Sequence, residues 1–479
     1  MNYETVIGLE VHVQLSTQSK AFCGCGTQFG LEANTQTCPV CLGMPGVLPV
    51  LNEKYLRYAI RAALALNCKV ASYIKFDRKN YFYPDLPKNY QISQYDKPLA
   101  GDGFLEIDLA ESNGAKKTIR ILRVHMEEDA GKLIHTKTES LVDFNRCGMP
   151  LLEIVTHPDI NSPQEAYDYL TQLKSVIEYL EVSDCDMEKG SLRCDANISL
   201  RPKGEKKLGV KTEVKNMNSF KGVREALVFE ISRQQKQLDA GEEITQETRL
   251  WDADQEKTFS MRTKEEAHDY RYFPEPDLVP FTITQETIEK IKKELPELPA
   301  QKKERLVREY KISEYDAAVL SADKHIALYF EEAVKNYADN AKGVSNWLTQ
   351  DIMNHIHTEQ LQTKQLKQLL PASKLAGMLK LIDNGTISGK IGKEILPQLI
   401  NSKKSAEDII KEKNLSQISD TKELERVIDD VLRENPAVVE DFKNGKSNAF
   451  MYLVGQVMKK TRGKANPQLV NSIMAEKIK

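Results

Sequence analysis

A chain of 479 residues is longer than one hydrophobic core usually organises, so about two to four domains are expected. Hydrophobic residues at 41% and charged residues at 29% are an ordinary soluble balance, which excludes a collagen-like, low-complexity or wholly disordered chain. No apolar stretch approaches the roughly 18 residues that span a bilayer, and a formal net charge of −3 gives no general grip on nucleic acid, so any basic contact must be local.

The opening segment MNYETVIGLE has no basic flank followed by an apolar run, so the cytosol is the expected compartment. VIGLEVHVQL then alternates. Leu9, Val11, Val13 and Leu15 share one face, and Glu10, His12 and Gln14 share the other, as in a strand with one buried side. Cys23, Cys25, Cys38 and Cys41 follow as C-x-C-x12-C-x2-C. Two close thiolate pairs in a reducing compartment read as a four-sulfur zinc site, with four unligated thiols as the alternative. Such a site has no open position, so its role is structural. Cys68, Cys147, Cys185 and Cys194 are scattered and read as small buried residues.

Asn52 is placed to cap a helix through Leu56, Ile60, Ala63 and Leu64. Residues 75–96, KFDRKNYFYPDLPKNYQISQYD, interleave tyrosines with Arg78, Lys79 and Lys88. Such a run stacks bases or holds phosphates, with Lys79 and Tyr81 as candidates to hold a nucleotide; a packed surface loop fits equally. His125, Glu127, Glu128 and Asp129 follow the strand-like TIRILRV, and Glu153 lies inside the apolar PLLEIV, where an unpaired carboxylate is costly. Carboxylates converging from several strands suit magnesium and phosphoryl transfer. Imidazole is an uncommon magnesium ligand, so His12 acts through water or favours manganese. From spacing alone, a solvated charged sheet face is the simpler reading.

Ser162-Pro163-Gln164-Glu165 starts a helix with a cap, a first-turn proline and a capping-box acid. Residues 191–200 alternate again, setting Leu192, Cys194, Ala196 and Ile198 against Arg193, Asp195 and Asn197. In 208–215, Leu208, Val210, Thr212 and Val214 oppose Lys211, Glu213 and Lys215. Ser219 caps a further helix through Leu227 and Ile231. Period-two strands with one polar face predict a largely antiparallel sheet. Face geometry adds Arg193, Asp195, Asn197, Lys211 and Lys215 to the candidate pocket. Gly445-Lys446-Ser447 lacks the first glycine of a phosphate loop, where Glu440 stands, so a bound nucleotide must be held by the sheet face.

Pro274, Pro276, Pro280, Pro296 and Pro299 mark a boundary, beyond which strand signals nearly vanish. The polar stretch 401–420 reads as a hinge before a small helical unit. From Lys443 to Lys479 there are eight Lys or Arg and one acid, Glu476, giving +7. Lys459, Lys460, Arg462 and Lys464 cluster at a helix end, where the helix dipole accounts for one or two cations and nucleic-acid binding for the rest.

VIGLEVHVQL, KFDRKNYFYPDLPKNYQIS, HMEEDAGK, LVDFNRCGMPLLEIV, GSLRCDANISL and DYRYFPEPDL occur in the order seen in one family, and GQVMKK…GKANPQLV extends the match into the tail. The chain resembles the B-subunit family of the aspartyl/glutamyl-tRNA(Asn/Gln) amidotransferases over essentially its whole length. The resemblance implies an α+β fold: a cradle-shaped catalytic domain over 1–290, an all-α domain over 291–407 and a small YqeY-like tail over 408–479. It also implies a glutamine-dependent, ATP-using carbon–nitrogen ligase of three subunits. The family's chain phosphorylates the side-chain carboxylate of Glu-tRNA(Gln) or Asp-tRNA(Asn), and ammonia displaces the phosphate. The partners are a glutaminase A subunit, a small C subunit and misacylated tRNA, whose body the tail contacts. Magnesium residues carry over to His12, Glu128 and Glu153, with Glu10 beside them, and zinc to the four clustered cysteines. Two other readings are a zinc-stabilised RNA-binding scaffold without chemistry and a stand-alone kinase of a free amino acid.

Overall fold

The computed structural model describes residues 3–109, 115–263, 270–413, 415, 421–443, 446–461 and 465–478. Contacts divide the chain into one unit over 1–299 and another over 300–479. The first unit runs β1 (Tyr3–Gln14), α1 (Glu53–Ala65), β2 (Lys69–Val70), β3 (Tyr73–Ile74), β4 (Asp77–Asn80), β5 (Tyr90–Ser93), β6 (Ala100–Asp108), β7 (Lys116–Glu128), β8 (Lys132–His135), β9 (Ser140–Asp143) and β10 (Pro150–Thr156). It continues with α2 (Pro163–Tyr179), β11 (Leu192–Pro202), β12 (Thr212–Lys215), α3 (Phe220–Asp239), β13 (Glu247–Asp252), β14 (Lys257–Thr263), β15 (Arg271–Pro274), β16 (Phe281–Thr282) and α4 (Gln285–Lys293).

Among the described residues, nine strands form one sheet in the order β14-β13-β12-β11-β1-β10-β7-β6-β2, antiparallel except for β12–β13. β1 is central because its odd side chains are apolar: Leu9, Val11 and Val13 are buried against the helices that cover that face. α2 supplies Tyr169, Leu170, Leu173 and Ile177 to this core, and α3 supplies Val223, Ala226 and Leu227. All three predicted caps form, with Asn52 accepting from the Tyr55 N–H, Ser162 from Glu165 and Ser219 from Gly222. Each satisfies a helix N–H that would otherwise lack a partner. A small sheet, β15-β4-β5, is pinned by the Arg78 guanidinium on the buried Glu275 carboxylate at 2.7 and 2.9 Å.

Three expectations shift. Leu208 and Val210 are exposed, not core, because the chain turns after Pro202 through Gly204 (φ +88°) and joins the ladder only at Thr212. The first unit extends past 290, because Ile288 and Ile291 of α4, with Leu295 and Leu298, pack on the sheet core. The second unit is built of helices around two cores. The helix Ala406–Lys413 buries Ile409 and Ile410 in the first, with Leu306 through Ile400, so packing carries that core beyond 407. The other core gathers Leu424, Ile428, Val431, Leu453, Val457 and Met474. Among the described residues, no helix is long and apolar enough to cross a membrane.

Candidate active site

With one sheet face buried under helices, the other carries the ionisable side chains of the alternating strands. Register sets Arg193 of β11 beside His12 of β1, His12 beside Glu153 of β10, and Glu153 beside His125 of β7. These four side chains form a row across strands about 4.8 Å apart. Asp195 and Glu10 begin the next row, which ends at Arg123. On the other side, Gln14 and Glu127 flank Leu151.

His12 Nε2 lies 3.6 Å from Glu153 Oε2 and 3.9 Å from Glu10 Oε1. Ligand atoms of His12, Glu127 and Glu153 all lie within 4.8 Å of one another, and so do those of Glu10, His12 and Asp195. His12 is shared by both groups. Burial disfavours the Glu153 carboxylate, but His12, His125 and Lys79 outweigh it and hold the group ionised, down to about 2. Burial also opposes the His12 charge, yet Glu153 and Glu127 carry its pKa above the ordinary value. Burial and the Glu153 charge push both Glu10 and Glu127 upward. Burial depresses His125 to about 4. A cation bound among these carboxylates would relieve that mutual repulsion, so oxygen donors with one imidazole fit a divalent ion such as magnesium or manganese.

Lys79 reaches this face from the small sheet. Burial opposes its charge, but Glu127, Tyr272 and Glu153 hold the ammonium well above the ordinary range. Its Nζ lies 4.8 Å from the Tyr270 ring centre, and Tyr81 meets the same ring edge-on at 5.5 Å. Lys215 donates to Asp195 and, at 3.1 Å, to Glu213. Asn197 stands opposite Glu213 on the same face, while Lys211 is exposed just before β12.

Glu128 is the exception. Strand alternation turns it to the opposite face, where its carboxylate pairs with buried Lys88 and accepts the Ile92 N–H at 2.9 Å. Glu127, not Glu128, joins His12 and Glu153. Counting by twos from His125 reaches Glu127 and then Asp129. Asp129 accepts from Gln14 Nε2 at 2.6 Å and Arg193 at 2.9 Å. The Arg123 Nε, His125 Nε2 and Arg193 Nε are buried without a protein hydrogen-bond partner, and such groups are normally satisfied.

The four clustered cysteines also meet. Their sulfurs lie within 4.8 Å of one another, and Cys38 and Cys41 are 3.9 Å apart. A zinc tetrahedron with bonds of about 2.3 Å has edges of about 3.8 Å, so the cluster fits that ion. The Cys23 hydrogen bond lowers the Cys41 thiol to about 4, helped by the Cys38 N–H and Lys20. Lys20 is fully buried with Nζ 3.7 Å from Cys41 Sγ, a cation suited to the excess charge of four thiolates. Cys68, Cys147, Cys185 and Cys194 are buried free thiols, as expected.

In the tail, Lys459 and Lys460 end the exposed face of the helix Ser447–Lys460, but Lys460 pairs with Glu434 at 2.7 Å and Lys477 with Asp429 at 2.6 Å. Arg462 and Lys464 lie outside the described residues.

An acid-rich sheet face and, in the same unit, a four-cysteine cluster are the features to set against known proteins. The family model described as the GatB/GatE catalytic domain matches residues 5–289, and the GatB domain model matches residues 328–478. Proteins named as the B subunits of aspartyl/glutamyl-tRNA(Asn/Gln) amidotransferases are 55% identical in Carboxydothermus hydrogenoformans, over 99% of both chains, and in Persephonella marina, over 100% of both. A relative of the same name in a Thermoanaerobacter species is also 55% identical over 100% of both chains. The chain belongs to the B-subunit family of the aspartyl/glutamyl-tRNA(Asn/Gln) amidotransferases.

Proposed function

We propose that this chain activates the side-chain carboxylate of Glu-tRNA(Gln), and of Asp-tRNA(Asn), by ATP-dependent phosphorylation, and there converts the product to the amide. The observation that carries this reading is the convergence of His12, Glu127 and Glu153 beneath Lys79 on one sheet face. A carboxylate oxygen is a poor leaving group until it attacks the terminal phosphorus of ATP and ADP departs. Ammonia then adds to the acyl carbon, phosphate leaves, and the nitrogen loses a proton.

His12, Glu127 and Glu153 would hold the divalent cation, with Glu10 and Asp195 beside them. That cation supplies charge neutralisation on the phosphates. Lys79 and Arg193 bring positive charge to the two anions that must approach each other. Arg123 and His125, whose buried nitrogens lack protein partners, face the same substrate. Tyr81 beside Lys79, and Asn197 and Lys215 on β11 and β12, with Lys211 just before β12, would hold the nucleotide. The four cysteines hold structural zinc, and the reaction runs in the cytoplasm.

Glutamine hydrolysis belongs to a glutaminase A subunit, joined through a small C subunit, since no Ser-Ser-Lys amidase run occurs in the sequence. The isolated chain should release no glutamate from glutamine, as a coupled glutamate assay would show. Reconstituted with both partners, ATP, magnesium and glutamine as the ammonia source, it should amidate Glu-tRNA(Gln) or Asp-tRNA(Asn). Glutamate release by the chain alone, or amide formation on free glutamate without tRNA, would overturn the assignment.

The tail grips the tRNA body. Such contacts bind ground and transition states alike and act on KM more than kcat. Replacing Lys459, Lys460, Arg462 and Lys464 with Ala should raise KM for aminoacylated tRNA and reduce its salt dependence by about one unit of slope per lost phosphate contact. An unchanged KM in the folded variant would assign these cations to the helix end and to Glu434.

A further inference from the structure

We infer that Glu128 is a positioning residue whose buried carboxylate clamps the small sheet onto the active end of β7, and so sets where Glu127 and Lys79 stand; this rests on the reading of the acid face above. Glu128 is 2% exposed and the Lys88 side chain 6%. The same carboxylate oxygen takes the Lys88 ammonium and the backbone N–H of Ile92 in β5, the latter at 2.9 Å. From β5, Gln91 Nε2 then donates to the Glu128 carbonyl at 2.7 Å and to Glu127 Oε2 at 3.2 Å, and Ser93 Oγ donates to Glu127 Oε1. So Glu128 holds β5, and β5 holds both oxygens of Glu127. Gln91 is also the ladder partner of Lys79 in β4, so the strand fixed by Glu128 places the lysine over the acids.

Stability alone does not call for this ion pair. A buried pair is commonly matched or exceeded by apolar residues of similar volume, because desolvation offsets the attraction. What apolar residues cannot do is accept the Ile92 N–H. The chain just after Cys41 abuts the clamp: a Cβ on Gly43 would collide with Lys88 Cγ, so only glycine lets the backbone rest there.

The test is manganese binding to the full chain without ATP or tRNA, read from the electron paramagnetic resonance signal of the free ion. The double variant Glu128→Leu/Lys88→Met removes both charges and the Ile92 acceptor. It should bind manganese about tenfold or more weakly, the usual effect of losing a group that orients a ligand. Glu128→Gln/Lys88→Met keeps an acceptor for Ile92 and should restore most of the affinity. Gln91→Met cuts the same link one step further on, should show the same loss, and carries the test if the first variant does not fold. Unchanged affinity in a folded Glu128→Leu/Lys88→Met or Gln91→Met chain overturns the inference. Glu127→Gln is measured alongside. If it binds manganese normally, the acid-face reading fails; if it loses the ion while the folded clamp variants keep it, only the clamp fails.

Discussion

Glu153→Gln should abolish tRNA-dependent ATP hydrolysis and amide formation, with kcat falling on the order of a thousandfold, equivalent to about 4 kcal/mol of transition-state stabilisation. Glu153 sits at the centre of the row, between His12 and His125, and its neighbours hold it in its charged form despite burial. The amide keeps the volume but removes the negative charge that a divalent ion and Lys79 both face. It cannot recover that charge at any pH. Glu127→Gln should behave similarly, because Glu127 belongs to the same group of ligand atoms. tRNA binding should persist, since neither change removes contact surface at the tail. The measurement is single-turnover ATP hydrolysis and amide formation, with filter binding of tRNA and the unfolding midpoint as controls. Near-normal amide formation in a folded Glu153→Gln chain would remove Glu153 from the reaction.

Cys41→Ser should cost the chain its zinc and on the order of 3 kcal/mol of stability, in the range expected when a metal ligand is lost. Elemental analysis of the unmodified chain should find one zinc per chain, and the variant well below one. The effect should be larger than for the half-buried Cys23, Cys25 or Cys38. Cys41 is buried at 3% exposure, and its sulfur is the one beside the fully buried Lys20, which would be left without its anion. Calorimetry measures the midpoint. A variant that keeps stoichiometric zinc and its midpoint would show that the cluster is four ordinary thiols. Any loss of kcat in the folded variant should be small beside that of Glu153→Gln, because four thiolates leave zinc no position for substrate.

Part of the pocket is legible in the sequence and part is not. Arg193 and Asp195 can be placed because β11 alternates cleanly, and His12 with Glu10 because β1 does. Composition singles out Lys79, but the reason it matters is its placement across from Glu127 and Glu153, which only packing between two sheets reveals. Motif matching points to Glu128, whereas the carboxylate on the face of His12 and Glu153 is that of Glu127, because two adjacent acids end β7 and a motif does not say which faces which way. Lys460 looks like an open cation in the sequence, whereas Glu434, twenty-six residues earlier, takes its charge.

By itself the sequence determined the period-two strands β1 and β11, the helix starts at Asn52, Ser162 and Ser219, the tetrad of thiols and the loss of strands after the prolines. The strands and helix starts depend on residues within a few positions of one another, where side-chain direction and capping follow from backbone geometry, and the thiols and prolines are read from residue type and spacing. Only the tertiary structure decided that Glu127 rather than Glu128 stands with Glu153, that Lys79 comes to them from a separate sheet, and that Ile291 and Ile409 belong to the cores before them. Alternation divides a strand's residues between two faces, but which face meets the neighbour's acids is set by register and burial across strands far apart in sequence, and a shift of one residue would exchange them.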